Sequence, residues 1–171
     1  LSSWTDAGAT SDTGETVTAS GTVDTTTVGT YTITYNVTDS SNNAATAVTR
    51  TVTVQDTTAP VITVTSGTDT IERLSSWTDA GATSDTGETV TASGTVDTTT
   101  VGDYTITYNV TDSSGNAATA VTRTVTVEDT TAPVITVTSG TDTVERLSSW
   151  TDAGATSDTG ETVTASGTVD T

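Results

Sequence analysis

Apolar and polar residues alternate along much of this chain. "DYTITYNVT" at 103–111 puts Tyr104, Ile106, Tyr108 and Val110 on one face, and Thr105, Thr107, Asn109 and Thr111 on the other. "AVTRTVTV" at 120–127 sets Val121, Val125 and Val127 against Thr122, Thr124 and Thr126. A period of two over this length predicts half-buried antiparallel strands, apolar inward and threonine outward. Shorter runs of the same kind are "VITVT" at 61–65, "DTIERL" at 69–74 after a Ser66-Gly67 turn, and "ETVTASGTV" at 88–96 around Val90 and Ala92. "DSSGN" at 112–116 joins the two long strands as a hairpin with a glycine-containing loop. No segment has a helical period. The pattern predicts an all-β fold: a sandwich of about seven strands if "SSWTDAGAT" supplies one of them. Arg123 breaks the pattern, because parity places it on the valine face. It is expected to snorkel at the sheet edge or to pair with Glu72; the plain structural reading is an ion pair, or a bulge that turns it outward.

The pattern itself is copied. "LSSWTDAGAT" stands at Leu1, Leu74 and Leu147, a spacing of 73 residues. A shift of 73 superposes the chain on itself except at Thr30/Asp103, Asn42/Gly115, Gln55/Glu128 and Ile71/Val144. The folding unit is therefore the repeat and not the chain. The only two prolines, Pro60 and Pro133, stand in "DTTAPVITV", where a missing N–H suits the start of an edge strand after a linker. This divides the chain into 1–55, the back portion of one unit; 56–129, a complete unit; and 130–171, the front portion of another. The chain reads as a window on a longer repetitive polymer. A unit of this size has a marginal core, so packing against neighbouring units or bound metal is expected to assist it.

Charge narrows the function classes. With 22 acidic and 4 basic residues the net charge is −18, which repels nucleic acid and anionic membranes but favours solubility and cation binding. Regular β-branched alternation argues against disorder, despite the acidity. The absence of histidine and cysteine excludes histidine-based triads, thiol chemistry and soft-metal sites, and no enzyme is expected. Without lysine there can be no Lys–Asn isopeptide crosslink. No run is long and apolar enough for a transmembrane helix. Trp77, with its copies Trp4 and Trp150, reads as core packing, against the alternative of a sugar-stacking platform. The outward threonines read as an ordinary solvent face, against an ice-binding array. Asn36 and Asn109 open acceptor-like triplets for N-glycosylation but lie in mid-strand.

Taken together, "DTTAPVI", "VGDYTITYNVTD" and "GNAATAVTRTVTV" resemble the bacterial immunoglobulin-like tandem repeats of the hyalin-repeat-like kind. The resemblance covers the complete unit and both partial ones. It implies a seven-stranded Ig-like sandwich in the stalk or adhesin region of a large secreted or surface-anchored protein, and no catalytic activity. Many relatives carry an Asp- and Gly-rich stretch after the "DAGA" element. Here "TSDTGETVTAS" stands in that place, so any ion bound there in relatives does not carry over.

In such a sandwich the leading linker and the last hairpin loop share a pole. That groups Asp56 with Asp112, and with Asp79 nearby. The opposite pole gathers Asp69, Asp97, Asp103, Glu128 and Asp129. In a tandem array these poles meet, so carboxylates from two units could share calcium, which takes six to eight oxygens. The alternative is a solvated acidic surface whose aspartates serve turns. The function expected is a structural stalk or filament-forming segment, extracellular or at the cell surface, with neighbouring repeats as partners. The alternative is an adhesin whose repeats bind glycan or protein directly. Strand exchange between copies, building a fibre, is a third possibility.

Overall fold

The structure, a computed structural model, describes residues 3–171. In residues 3–54, β1 (Thr18–Ser20), β2 (Gly29–Asn36) and β3 (Val48–Val54) form an antiparallel sheet in that order. The complete repeat holds β4 (Ile62–Val64), β5 (Thr70–Glu72), β6 (Ala82–Ser84), β7 (Thr91–Ser93), β8 (Gly102–Asn109) and β9 (Val121–Glu128). Residues 130–171 hold β10 (Ile135–Val137) and β11 (Ala155–Ser157), an antiparallel pair. No helix occurs among the described residues.

In the complete repeat, β4 and β6 form one sheet, and β5, β9, β8 and β7 form the other in that order. Alternation decides what lies between them. Ile106, Tyr108 and Val110 turn inward and meet Ile62 from the small sheet. Val64, Trp77, Ala82, Val90, Val96, Ala118 and Val121 pack around that cluster. Val125 and Val127 are fully buried, and Ile71 stands opposite Val127. The hairpin closes as the sequence predicts, with a bridge between Thr111 and Ala117.

Two details differ from the sequence reading. The complete repeat has six strands, because most of "SSWTDAGAT" is not extended. Leu74 has φ +68 in a tight turn that Ser75 closes onto the Glu72 carbonyl, and Gly81 has φ +76. Both interrupt a strand before β6 begins. The second difference is that β5 pairs with β9 in parallel. After β4 the chain crosses to the other sheet at Gly67, where a Cβ would come 2.8 Å from Arg123 Nη1 and 2.9 Å from Ala80 Cβ. Only glycine fits this crossing, and it delivers β5 to the sheet edge running in the direction of β9.

The repeat supplies its own control for the value of the core. Ile62 is 8% exposed, whereas its copy Ile135 is 62% exposed. Ile62→Ala is expected to destabilise the complete repeat by about 2–4 kcal/mol, read from hydrogen exchange of the β8 and β9 amides. Ile135→Ala is expected to change those amides by no more than about 0.5 kcal/mol.

Candidate functional site

The one buried charge among the described residues is Arg123, and it organises the middle of the sandwich. Its side chain is 2% exposed. Nη1 donates to Asp69 Oδ1 at 2.5 Å, Nε donates to Tyr108 Oη at 3.2 Å, and Nη2 donates to the Thr65 carbonyl. Asp79 stands 3.6 Å from Nε and accepts from the Tyr108 hydroxyl at 2.5 Å. Burial alone would lower the Arg123 pKa. Hydrogen bonds to Tyr108 and Asp69 more than offset it, so the group is held above its ordinary value. Burial pushes the Tyr108 phenol up, and its bond to Asp79 pushes it further. The expected Glu72 partner is thus corrected, as is the placing of Asp79. Asp69 and Asp79, assigned to opposite poles, meet on one guanidinium. Arg123 neither snorkels nor turns out, because Gly67 lets the β4–β5 crossing close over it.

The leading pole forms as expected around Asp56 and Asp112. The Asn116 amide joins them, donating to the Asp56 carbonyl at 3.1 Å and to Asp112 Oδ2 at 2.8 Å. Asp112 Oδ1 also takes the Ser114 and Asn116 N–H groups. These bonds, the Asn116 side chain first, hold its carboxyl below the usual range. Asp56 Oδ1 accepts from the Thr58 N–H at 3.0 Å, an Asx turn that sets the path of the linker.

At the other pole the carboxylates of Asp97, Asp103 and Asp129 also have protein donors. Asp97 accepts from the Thr99 hydroxyl and N–H and from the Thr100 hydroxyl. These lower its pKa, with the Thr99 hydroxyl leading. Asp103 accepts from the Thr126 hydroxyl at 2.7 Å, while the Thr126 N–H donates to the Asp69 carbonyl at 2.8 Å. Glu128 offers its carbonyl to the Arg73 N–H. Asp129 pairs with Arg73 Nε at 3.0 Å. Beside them stands Glu72, which was expected to serve Arg123. Its two oxygens accept the Thr130 N–H at 2.9 Å, the Thr130 hydroxyl at 2.7 Å and the Thr131 hydroxyl at 2.9 Å. The Thr130 hydroxyl is the main cause of its lowered pKa. Glu72 and Arg73 thus grip the segment that leads into the next repeat. Sequence reasoning missed this grip. Its only signal was an adjacent Glu-Arg pair ending a strand.

Among the described residues no three carboxylates stand close enough together to hold a metal ion. Trp77 is half-buried against the core cluster, and its Nε1 donates to the Thr68 carbonyl at 2.8 Å. A groove of about 550 Å³ lies in residues 3–54, lined by Tyr35, Val37, Ala45 and Val48 among others.

A small two-sheet sandwich, built from alternating valine and threonine and repeated in tandem, defines an Ig-like class. The chain matches the bacterial surface protein Ig-like domain over residues 2–54 and 57–127, and it belongs to that family. Among curated proteins none matches it.

Proposed function

We propose that the chain is a stalk segment of a bacterial surface protein, exposed outside the cell, whose repeats hold a distal part away from the surface. The observation that carries this reading is the grip on the linker. Three bonds from Glu72 and the Arg73–Asp129 pair fasten residues 129–131 to the sheet edge of the preceding repeat. A braced linker resists the free rotation that an unsupported connection allows. The half-buried Trp77, whose Nε1 donates to the Thr68 carbonyl, supports a structural role over a sugar-stacking one. Family membership supports the surface location and a binding or structural role without catalysis.

The test is particle length. Small-angle scattering on chains of increasing repeat number is expected to give a maximum dimension that grows in proportion to that number. Growth as its square root would mean a flexible string and would sink the reading. Saturable binding of glycan or protein by single repeats would instead favour an adhesin. A chelator arm tests calcium in the same samples. Glu72 and Asp129 already accept from Thr130, Thr131 and Arg73, so a junction cation has to displace those donors. Scattering curves unchanged by chelation would exclude it.

The grip has its own prediction. Glu72→Ala is expected to speed hydrogen exchange of the Thr130 amide about five-fold, with the β8 amides unchanged. Acid is expected to do the same. The Glu72 carboxyl is held below its ordinary 4.5, so its contribution is complete above that value and is lost as pH falls through the lowered one.

A further inference from the structure

The outer face of the larger sheet serves neither the core nor the linker. Its residues stand in register from strand to strand. Thr105 is opposite Thr124, Thr107 is opposite Thr122, and Ser93 of β7 extends the second row beyond Thr107. The ladder of β8 with β9 runs unbroken from Gly102 and Val127 to Tyr108 and Val121, so no bulge disturbs the rows. Thr105, Thr122 and Thr124 are exposed, and Thr107 is half-buried. Around the rim the hydroxyls are engaged. Thr91 and Ser93 donate to the Asn109 and Thr107 carbonyls, and Thr126 donates to Asp103. Within the rows the hydroxyls of Thr105, Thr107, Thr122 and Thr124 are left to solvent. The same array recurs 73 residues earlier, with Thr32 opposite Thr51, Thr34 opposite Thr49, and Ser20 opposite Thr34.

In a chain with 22 acidic residues, this field carries no charge. The carboxylates on β8 and β9 are Asp103 and Glu128, both at the exit end. Tyr104 and Tyr108 belong to the inner face, so no aromatic ring is offered to a sugar. No large apolar side chain is offered to a protein, and a net charge of −18 opposes a second copy. What the face does offer is threonine alone. Each threonine brings a methyl group, which orders the water beside it, and a hydroxyl that can donate or accept. Neighbouring strands lie about 4.8 Å apart, and successive outward residues along a strand about 6.7 Å apart. Rows of oxygen on crystalline ice repeat at comparable distances.

We propose that the threonine face of β8 and β9, with its copy on β2 and β3, binds the surface of ice. Water held between the methyl groups continues the lattice, and the free hydroxyls bond to it. The paired strands hold the array in place before contact, so little order has to be gained on binding. Copies along one chain add their contacts. One of the four differences between copies falls on this face. Thr30 stands opposite Thr53 and gives the first copy a third uncharged row, whereas Asp103 stands opposite Thr126. A carboxylate gathers its own hydration shell and breaks the row. The first copy therefore carries the stronger face. None of this depends on a stiff stalk, since a flexible string would present the same rows.

Partition of the 171-residue chain into slowly growing ice, together with inhibition of ice recrystallisation, tests this. The chain is expected to enter the ice and to keep the crystals small. Thr124→Tyr combined with Thr51→Tyr alters exposed positions and raises the concentration needed at least about ten-fold, while exchange of the β9 amides shows the fold intact. Thr119→Tyr, outside the ladder, is expected to change nothing. Asp103→Thr completes the third row and lowers the concentration needed about two-fold, a gain that unfolding cannot mimic. A chain that growing ice excludes, tyrosines without effect, or an Asp103→Thr variant no more active than the native chain overturns the proposal. Concentration-dependent sedimentation abolished by the same tyrosines would overturn it too, by giving the face to a second copy.

Discussion

Replacing Arg123 with methionine destabilises the complete repeat by about 2–4 kcal/mol, whereas Arg50→Met costs less than about 1 kcal/mol. The two arginines occupy the same position in successive copies. Arg123 is enclosed by Asp69, Asp79, Tyr108 and the Thr65 carbonyl, with its side chain 2% exposed. Removing it leaves the Thr65 carbonyl without a donor under the β4–β5 crossing and Asp79 without its cation, though Asp79 still accepts from the Tyr108 hydroxyl and the Gly81 N–H. Methionine fills the volume, so the loss reports on polar pairing and not on a cavity. Asp69 is 55% exposed and regains water, which keeps the cost below that of a fully buried pair. Arg50 is 37% exposed; it pairs with Asp6, donates to the Gly8 carbonyl and lies over the Tyr35 ring, all in reach of solvent, so water replaces most of what it loses. Hydrogen exchange of the β9 amides, compared with those of β3, reads both effects in one molecule. Equal losses at the two sites would show that enclosure by residues 65–69 contributes nothing.

Gly94→Ala costs about 3 kcal/mol or more and releases β7 from β8. Gly94 has φ +110, and a Cβ there would run into the Thr105 carbonyl oxygen on the neighbouring strand. Backbone cannot yield as a side chain can. Gly167 is the copy of Gly94, with φ +122, but nothing lies within 4 Å of its Cβ position. Gly167→Ala therefore carries only the conformational cost, about 1 kcal/mol. Gly21, with φ +108, meets the Thr32 carbonyl in the same way and is expected to behave like Gly94. The loss of β7 protection in Gly94→Ala, with β9 largely spared, is the signature to look for. A uniform, small change across all three glycines would contradict the steric account.

The strands were legible because each residue's face follows from parity alone. Tyr108 and Val125 need no knowledge of their partners to be placed inside. That Asp56 and Asp112 lie at one end was legible for a similar reason, since a linker and a hairpin loop must share an end of a sandwich; the Asn116 amide that joins the Asp56 carbonyl to Asp112 was not. Asp97 and Asp112 were legible as turn formers, because their donors stand two to four residues away. The partners of Arg123 were not legible. Asp69 lies 54 residues off, and the Thr65 carbonyl belongs to backbone that any sequence possesses. Glu72 was lost to the same limit, since its partners Thr130 and Thr131 are 58 and 59 residues away. The parallel β5 depends on a crossing at Gly67, and a lone Ser-Gly turn does not state which sheet the chain will join next.

That parallel edge has a mechanical meaning. A load carried along the chain pulls β5 from its upstream end and β9 from its downstream end. In a parallel pair those two ends lie at opposite extremes of the ladder. The strands must therefore slide past one another in shear, and the hydrogen bonds from Thr70 to Glu128 share the force instead of opening one at a time. Glu72 fastens Thr130 to the end of β5, so a pull on the linker would reach this strand pair first.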